Sequence, residues 1–413
     1  MKKTEEKNLK KRMKKWILGC MAGFFVSILT ACTVTVHDVD GDQIIYGNPD
    51  SDSVENGMPE GEEENGRQEN LNAEGVESDF LENAGGTLGT LPKPIKKVPE
   101  IPEYIMPAED YTDPLEEEAS VIIDDAIAKA IAAVNVMKDD RHSYVTYPYE
   151  EDANGYLDYL QGSCKELYDL VGEKAKKWED FQIKDKDYEG SLIIDALTIS
   201  TYMTYGEPVQ HCFFQLDVVS DHDGISEIFF DPYQDANFSV ENGKADLEQI
   251  KEDMDLMDHI IKRIVRKMPQ GLTAYDQYYY LAAVLSEHIT YDTESRNRYT
   301  AFGALVSGRA VCEGYSAAFL LLCKEADIWC AYRHGLPKGT GHVWNMLKLE
   351  SGIYNVDVTW CDNAKIFERA WYENFARSDV DFEWNGHEMV EDFGIKETIV
   401  STGEYEPCPY EEP

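Results

Sequence analysis

The chain has 413 residues, with 79 acidic against 38 basic side chains and a formal net charge of −41. A surface of that sign repels nucleic acid and anionic lipid headgroups, so partners held through phosphate contacts are excluded. The 43% of hydrophobic residues is enough to build more than one buried core.

Residues 1–31 do not read as part of the fold. Lys2–Lys15 holds eight basic and two acidic residues, and Trp16–Thr30 is almost wholly apolar, the form of a secretory leader. The apolar run is short for a membrane-spanning helix. It ends in Leu29-Thr30-Ala31-Cys32, which resembles a bacterial lipobox. The expectation is cleavage before Cys32, lipidation of that cysteine, and anchoring on the outer face of the bacterial cell membrane. Residues 32–114 then read as a disordered tether. Between Asp50 and Leu91 there are twelve acidic residues, one basic residue and seven glycines, too little apolar surface to offset the entropy of ordering. The following stretch to Pro114 holds six prolines and is stiffer. Asp38-Val39-Asp40-Gly41-Asp42 lacks the spaced glutamate of a calcium loop and reads as solvated charge.

Residues 115–244 read as a mixed α+β region. Ile123, Ile127, Ala130, Val134 and Met137 fall at helical spacing, and Leu157, Leu160, Cys164, Leu167, Val171 and Trp178 repeat the pattern. A third apolar segment surrounds Leu192–Met203. Residues 211–219 alternate as a half-buried strand, with 225–230 as the partner after a turn. Residues 245–413 form the last unit. Leu247 to Met268 carries a long apolar stripe stopped by Pro269 and Gly271, and Thr273 with Asp276 resembles a capping box for the next helix. Tyr278, Tyr279 and Tyr280 read as packing residues, since no basic groove accompanies them.

The chemistry concentrates between Ser307 and Asn363. Cys312 opens a run, Ala317 to Leu322, that is apolar on all sides and therefore predicts a buried helix. A cysteine at a helix N-terminus sits at the positive end of the dipole, which favours its thiolate. His342–Leu349 and Ile353–Trp360 suit two strands joined by a short turn at Glu350-Ser351-Gly352. Any two-residue turn there makes facing positions sum to an odd number, as His342 and Asp357 do, so the two share one face. With the turn on Glu350-Ser351 they are diagonal neighbours. Cysteine, imidazole and carboxylate in reach of one another are the parts of a nucleophile–base–orienter arrangement. The other cysteines give no CxxC and the histidines no paired motif, so neither a metal nor a cofactor is expected. Cys164, Cys212, Cys323, Cys330, Cys361 and Cys408 suit either disulfides in an exported protein or free thiols.

Ala310-Val311-Cys312-Glu313-Gly314-Tyr315-Ser316, Gly341-His342-Val343-Trp344-Asn345 and Tyr354-Asn355-Val356-Asp357-Val358-Thr359-Trp360 stand in this order. With Ile289–Asp292 upstream and Tyr372–Asp379 downstream, the stretch 245–390 resembles the core of the transglutaminase-like superfamily, in its bacterial lipoprotein form. Cys361 departs from the acidic residue that relatives commonly carry after the Thr-Trp pair. The resemblance implies an α+β, papain-like core, with a nucleophile helix packed on an antiparallel sheet. It implies Cys312 as nucleophile, His342 as base and Asp357 as orienter, with Glu313, Gly314, Trp344, Asn345 and Trp360 along the substrate cleft. The implied activity is cysteine-dependent acyl transfer on peptide or glutamine carboxamide bonds of protein or peptide substrates at the cell envelope, with hydrolysis slightly favoured over amine crosslinking. A surface binding or assembly module that keeps the fold without the reaction is the alternative. His387 matches a histidine of some relatives and is assigned a structural or substrate-edge place.

Overall fold

The computed structural model describes residues 113–137, 144–155, 160–175, 247–335, 341–366 and 369–388, with shorter pieces within 34–46, 181–199 and 214–245. The expected leader and Cys32 lie outside the described residues, as do Cys212, Cys408 and nearly all of the expected tether. No helix among the described residues is long and apolar enough to cross a membrane.

In chain order the elements are β1 Val34–His37, β2 Gln43–Tyr46, α1 Pro114–Met137, α2 Gly162–Ala175, β3 Phe181–Lys184, β4 Phe214–Asp221, β5 Gly224–Pro232, β6 Ser239–Val240, β7 Lys244–Ala245, α3 Leu247–Lys267, α4 Ala274–His288, β8 Thr290–Tyr291, β9 Arg309–Ala310, α5 Cys312–Glu325, β10 Cys330–Gly335, β11 His342–Leu349, β12 Gly352–Val356, α6 Val358–Cys361, α7 Arg369–Tyr372 and α8 Asp379–Asn385. The protein is a mixed helix and sheet structure. A five-stranded sheet has the order β2-β1-β4-β5-β3, and a three-stranded sheet has the order β10-β11-β12. β1 and β2 fall inside the stretch read as disordered tether, pairing with each other and, through β1, in parallel with β4. Val34–Val36 and Ile44–Tyr46 are β-branched and aromatic runs, which suit a pleated sheet once a distant partner strand is present.

The helices form where their stripes predict. Asp113 caps α1 by accepting from the Leu115 N–H at 3.0 Å, and Glu116 and Glu117 oppose the dipole in its first turn. Ile123, Ile127, Ala130 and Val134 are buried against α3 and α4. Arg263 of α3, itself buried, reaches back to α1 with a two-point contact to Asp124, at 2.6 and 2.8 Å. The Thr273 hydroxyl caps α4 by accepting from the Asp276 N–H at 3.1 Å. Tyr278, Tyr279 and Tyr280 are buried as packing residues; Tyr279 stacks on Tyr372 and meets Trp371 edge-on.

Helix α5 lies at the centre, with every residue from Glu313 to Cys323 buried. One side meets α3 and α4, and another meets β11. Asn345 donates to the Ser316 carbonyl at 3.2 Å and the Ser316 hydroxyl to the Val343 carbonyl at 3.2 Å, so the helix is tied to this strand by polar contacts as well as packing. The face of the sheet bearing Met346 and Ala331 carries a second apolar cluster with Trp329, covered by Tyr147 and Ala153. The Asn154 side chain bonds both the N–H and the carbonyl of Tyr332, at 3.0 and 2.7 Å, which closes the exposed edge of β10.

The start of α5 is fixed by a close backbone approach. The Val311 N–H donates to the Arg298 carbonyl at 2.9 Å. A Cβ on Gly314 would stand 2.7 Å from that same carbonyl and 2.9 Å from the carbonyl of Thr300. Gly314→Ala is therefore expected to destabilise the protein by about 1–3 kcal/mol, as overpacking against rigid backbone does. It should also shift the turn that carries Cys312. Chemical denaturation reads the first effect; a midpoint equal to that of the unsubstituted chain would refute it.

Candidate active site

Cys312 is the first residue of α5, a free and partly exposed thiol. Its N-cap, Val311, offers no side-chain acceptor, so the amides of the first turn are not capped by that residue. His342 opens β11, and Asp357 follows β12 as the N-cap of α6. The register pairs Leu349 with Gly352, so the turn is Glu350-Ser351, and Asn345 faces Val356. His342 and Asp357 are thereby diagonal neighbours on one face.

Asp357 and His342 meet at 2.6 Å, Nε2 to Oδ2, with the carboxylate fully buried and His342 8% exposed. The other carboxylate oxygen, Oδ1, accepts from the Trp360 N–H at 3.1 Å. Since Nε2 serves the carboxylate, Nδ1 is the nitrogen left for the Cys312 thiol, whose side chain is near enough to raise the His342 pKa. The electrostatics follow from this geometry. Burial disfavours the imidazolium, but Asp357 and Cys312 together outweigh it and raise the His342 pKa to about 10. Burial would raise the Asp357 carboxyl; His342 and then His387 reverse that and hold it well below the ordinary carboxylate range. An anionic carboxylate can only accept, so His342 carries its hydrogen on Nε2. The arrangement favours a charged imidazole beside the sulfur and a carboxylate that fixes the ring.

His387 enters the same site. Its Nε2 lies 2.9 Å from the Asp357 Oδ2, the oxygen that His342 also uses. The assignment to a structural or substrate-edge place thus becomes a direct contact with the carboxylate. No spacing signal could have shown it, because a loop residue thirty positions beyond Asp357 finds its partner only through tertiary packing. His342, Asp357 and His387 bring one donor atom each within 4.8 Å of one another, a set a divalent ion can use. Here hydrogen bonds occupy it.

The remaining cleft residues divide by burial. Trp344 is 0% exposed and sits behind the histidines, 5.9 Å from the His342 ring and 5.0 Å from that of His387. Its indole N–H donates to Asn355 at 2.9 Å, and Asn355 in turn donates to Asp379, which Arg333 grips at 2.7 and 3.1 Å. Glu313, Gly314 and Asn345 are buried too, so these four support the site from within instead of lining an opening. Only Trp360 keeps partial exposure, with its ring 5.6 Å from that of His342. Cys361 is buried with its sulfur toward the Trp371 carbonyl. The acidic group stands one residue later: Asp362 accepts from the Tyr315 hydroxyl at 2.7 Å, and burial raises its pKa to about 6. His288 bonds the Leu305 carbonyl, away from this chemistry.

No curated protein matches the chain. A solved structure of a provisionally assigned cysteine protease from Cytophaga hutchinsonii is similar over 44% of this chain and 67% of its own, at 13% identity and a TM-score of 0.25. That likeness is too slight to support an argument. The sequence itself is more informative: residues 261–361, a span that includes Cys312, His342 and Asp357, match the family model of the transglutaminase-like superfamily.

Proposed function

We propose that the protein is a cysteine-dependent acyl-transfer enzyme with a papain-like arrangement, acting on peptide or glutamine carboxamide bonds. The observation that carries this reading is the buried 2.6 Å contact of His342 with Asp357, with Cys312 at the start of α5 close enough to help hold His342 as a cation. The Cys312 sulfur attacks the carbonyl carbon, and the electron pair moves to the carbonyl oxygen. Collapse of that intermediate expels ammonia or an amine, which takes the proton from His342 Nδ1 and leaves a thioester on Cys312. Neutral His342 then removes a proton from water or an incoming amine, and attack on the thioester regenerates the thiolate. Asp357 keeps the ring in place throughout. The Cys312 N–H at the start of α5 is suited to hold the developing oxyanion. Display at the cell envelope through a lipid on Cys32 is part of the same reading and rests on the leader and lipobox alone.

Water is favoured over an amine as the acceptor. Crosslinking needs an apolar, water-excluding acceptor side, and of the two tryptophans suited to build one, Trp344 is buried behind the histidines. Incubating the purified chain with a glutamine-containing peptide library and a labelled primary amine measures the partition. The expected result is released ammonia with free acid exceeding amine incorporation. Efficient incorporation with little acid would make the protein a crosslinking enzyme. No turnover, together with Cys312 alkylation that follows an ordinary thiol titration, would make it a binding module.

A further inference from the structure

We propose that His387 is a positioning residue for the reaction. It donates to the same Asp357 oxygen as His342, fixing the carboxylate and dividing its charge so that His342 can give up its proton. This rests on the acyl-transfer reading above and deepens it. The matched family segment ends at residue 361, so His387 lies beyond it.

The geometry makes His387 a donor. The carboxylate is ionised and can only accept, so the Nε2 of His387, at 2.9 Å, must carry hydrogen. Both Asp357 oxygens are then engaged, Oδ1 by the Trp360 amide and Oδ2 by two imidazoles. His387 has no freedom to leave. It is 0% exposed and lies 4.1 Å from the rings of both Trp360 and Phe382, ring centre to ring centre. Its own N–H is held by the Phe382 carbonyl at 2.8 Å, at the end of α8. The next residue crosses β10 where Gly335 has no side chain: a Cβ there would meet the Glu388 carbonyl and the Trp344 ring, each at 2.4 Å. The strand has therefore given up a side chain at the place where the His387 segment and Trp344 close over the site.

The charged and titratable groups facing His387 are Asp357 and His342, with Cys312 beyond His342; its other neighbours, Trp344, Trp360 and Phe382, are aromatic. In that surrounding a second donor on Asp357 has one electrostatic consequence. An imidazolium facing an unshared carboxylate holds its proton tightly, and a general acid works best when its pKa is close to the working pH. His342 already stands at about 10. A carboxylate that also accepts from His387 is a weaker acceptor for His342, which lowers the barrier to protonating the leaving amine.

The test compares His387→Leu, which removes the donor, with His387→Gln, whose amide nitrogen stands where Nε2 does. Cys312 alkylation by iodoacetate, an anion drawn by the imidazolium, is followed against pH alongside kcat and KM, with a thermal melt for each variant. In His387→Leu the basic limb of alkylation should rise by on the order of one pH unit. Its kcat should fall roughly 10–100-fold with KM little changed, the range seen when a group orienting an active-site ligand is lost. His387→Gln should restore both. A basic limb that stays or moves down in a folded His387→Leu chain, or a folded His387→Gln chain that restores neither the limb nor kcat, overturns the proposal alone. One equivalent of zinc retained by the unsubstituted chain and lost from His387→Gln overturns it too, since the three atoms would then be ligands. A flat alkylation profile in the unsubstituted chain would sink the acyl-transfer reading and this proposal together.

Discussion

Cys312→Ala is expected to abolish turnover, by about a million-fold, while the chain folds as before. The size follows from the role: a nucleophile whose partners act as a unit with it leaves only binding and oxyanion stabilisation when it is removed. The indifference of the fold follows from the place. Cys312 is the one residue of α5 between its start and Cys323 that is not buried, and it anchors no packing layer. The neighbouring imidazole should report the loss as well. Cys312 is one of the two groups that raise the His342 pKa, so that pKa should fall in the variant, as NMR titration of the ring would show. Turnover retained in folded Cys312→Ala would end the nucleophilic mechanism outright.

How much of this was legible in the sequence depends on how far apart the partners lie. The stripes of α1 and α3 are local patterns, and burial follows them at Ile123, Ile127, Ile261 and Ile264. The apolar run after Cys312 could only be a buried helix, and it is one. Parity placed His342 and Asp357 on one face because a two-residue turn leaves no other choice, and the turn is Glu350-Ser351. What escaped are contacts made through the rest of the fold. Trp344 alternates with the strand, so its face was readable; that Phe382 and His387 cover that face was not. Glu313, Gly314 and Asn345 sit beside catalytic types in sequence, yet burial removes them from any opening, Gly314 against the Arg298 and Thr300 carbonyls and Asn345 against α5. β1 lacks local partners apart from β2, and only its parallel pairing to β4, some 180 residues on, gives it a sheet to join.

Asp357→Asn should lower kcat by about four orders of magnitude, the scale of losing tautomer control over a catalytic imidazole, with the fold retained. An amide of the same shape cannot meet this site's demands. Two imidazole N–H groups point at Oδ2 and the Trp360 N–H points at Oδ1. Asparagine offers one acceptor oxygen and one NH2, so either both imidazoles or the α6 cap must face a donor. The charge is lost as well, and with it the strongest influence raising the His342 pKa, so the basic limb of the pH–rate profile should move down. Stability should change in a defined window. The depressed Asp357 carboxyl contributes stability above the unfolded carboxylate pKa of about 4, and that contribution is lost as pH falls below it. The raised His342 contributes fully below the unfolded histidine value of about 6.5, and that contribution is lost as pH rises through the folded value of about 10. The gap in melting temperature between the unsubstituted chain and Asp357→Asn should therefore be widest between about pH 4 and 6.5 and shrink steadily toward pH 10. Melts at pH 5, 7.5 and 10, beside kcat at the pH optimum of each chain, measure both effects. A gap that does not vary with pH, or a kcat within about tenfold of the unsubstituted chain, would mean that Asp357 neither holds the imidazolium nor orients it.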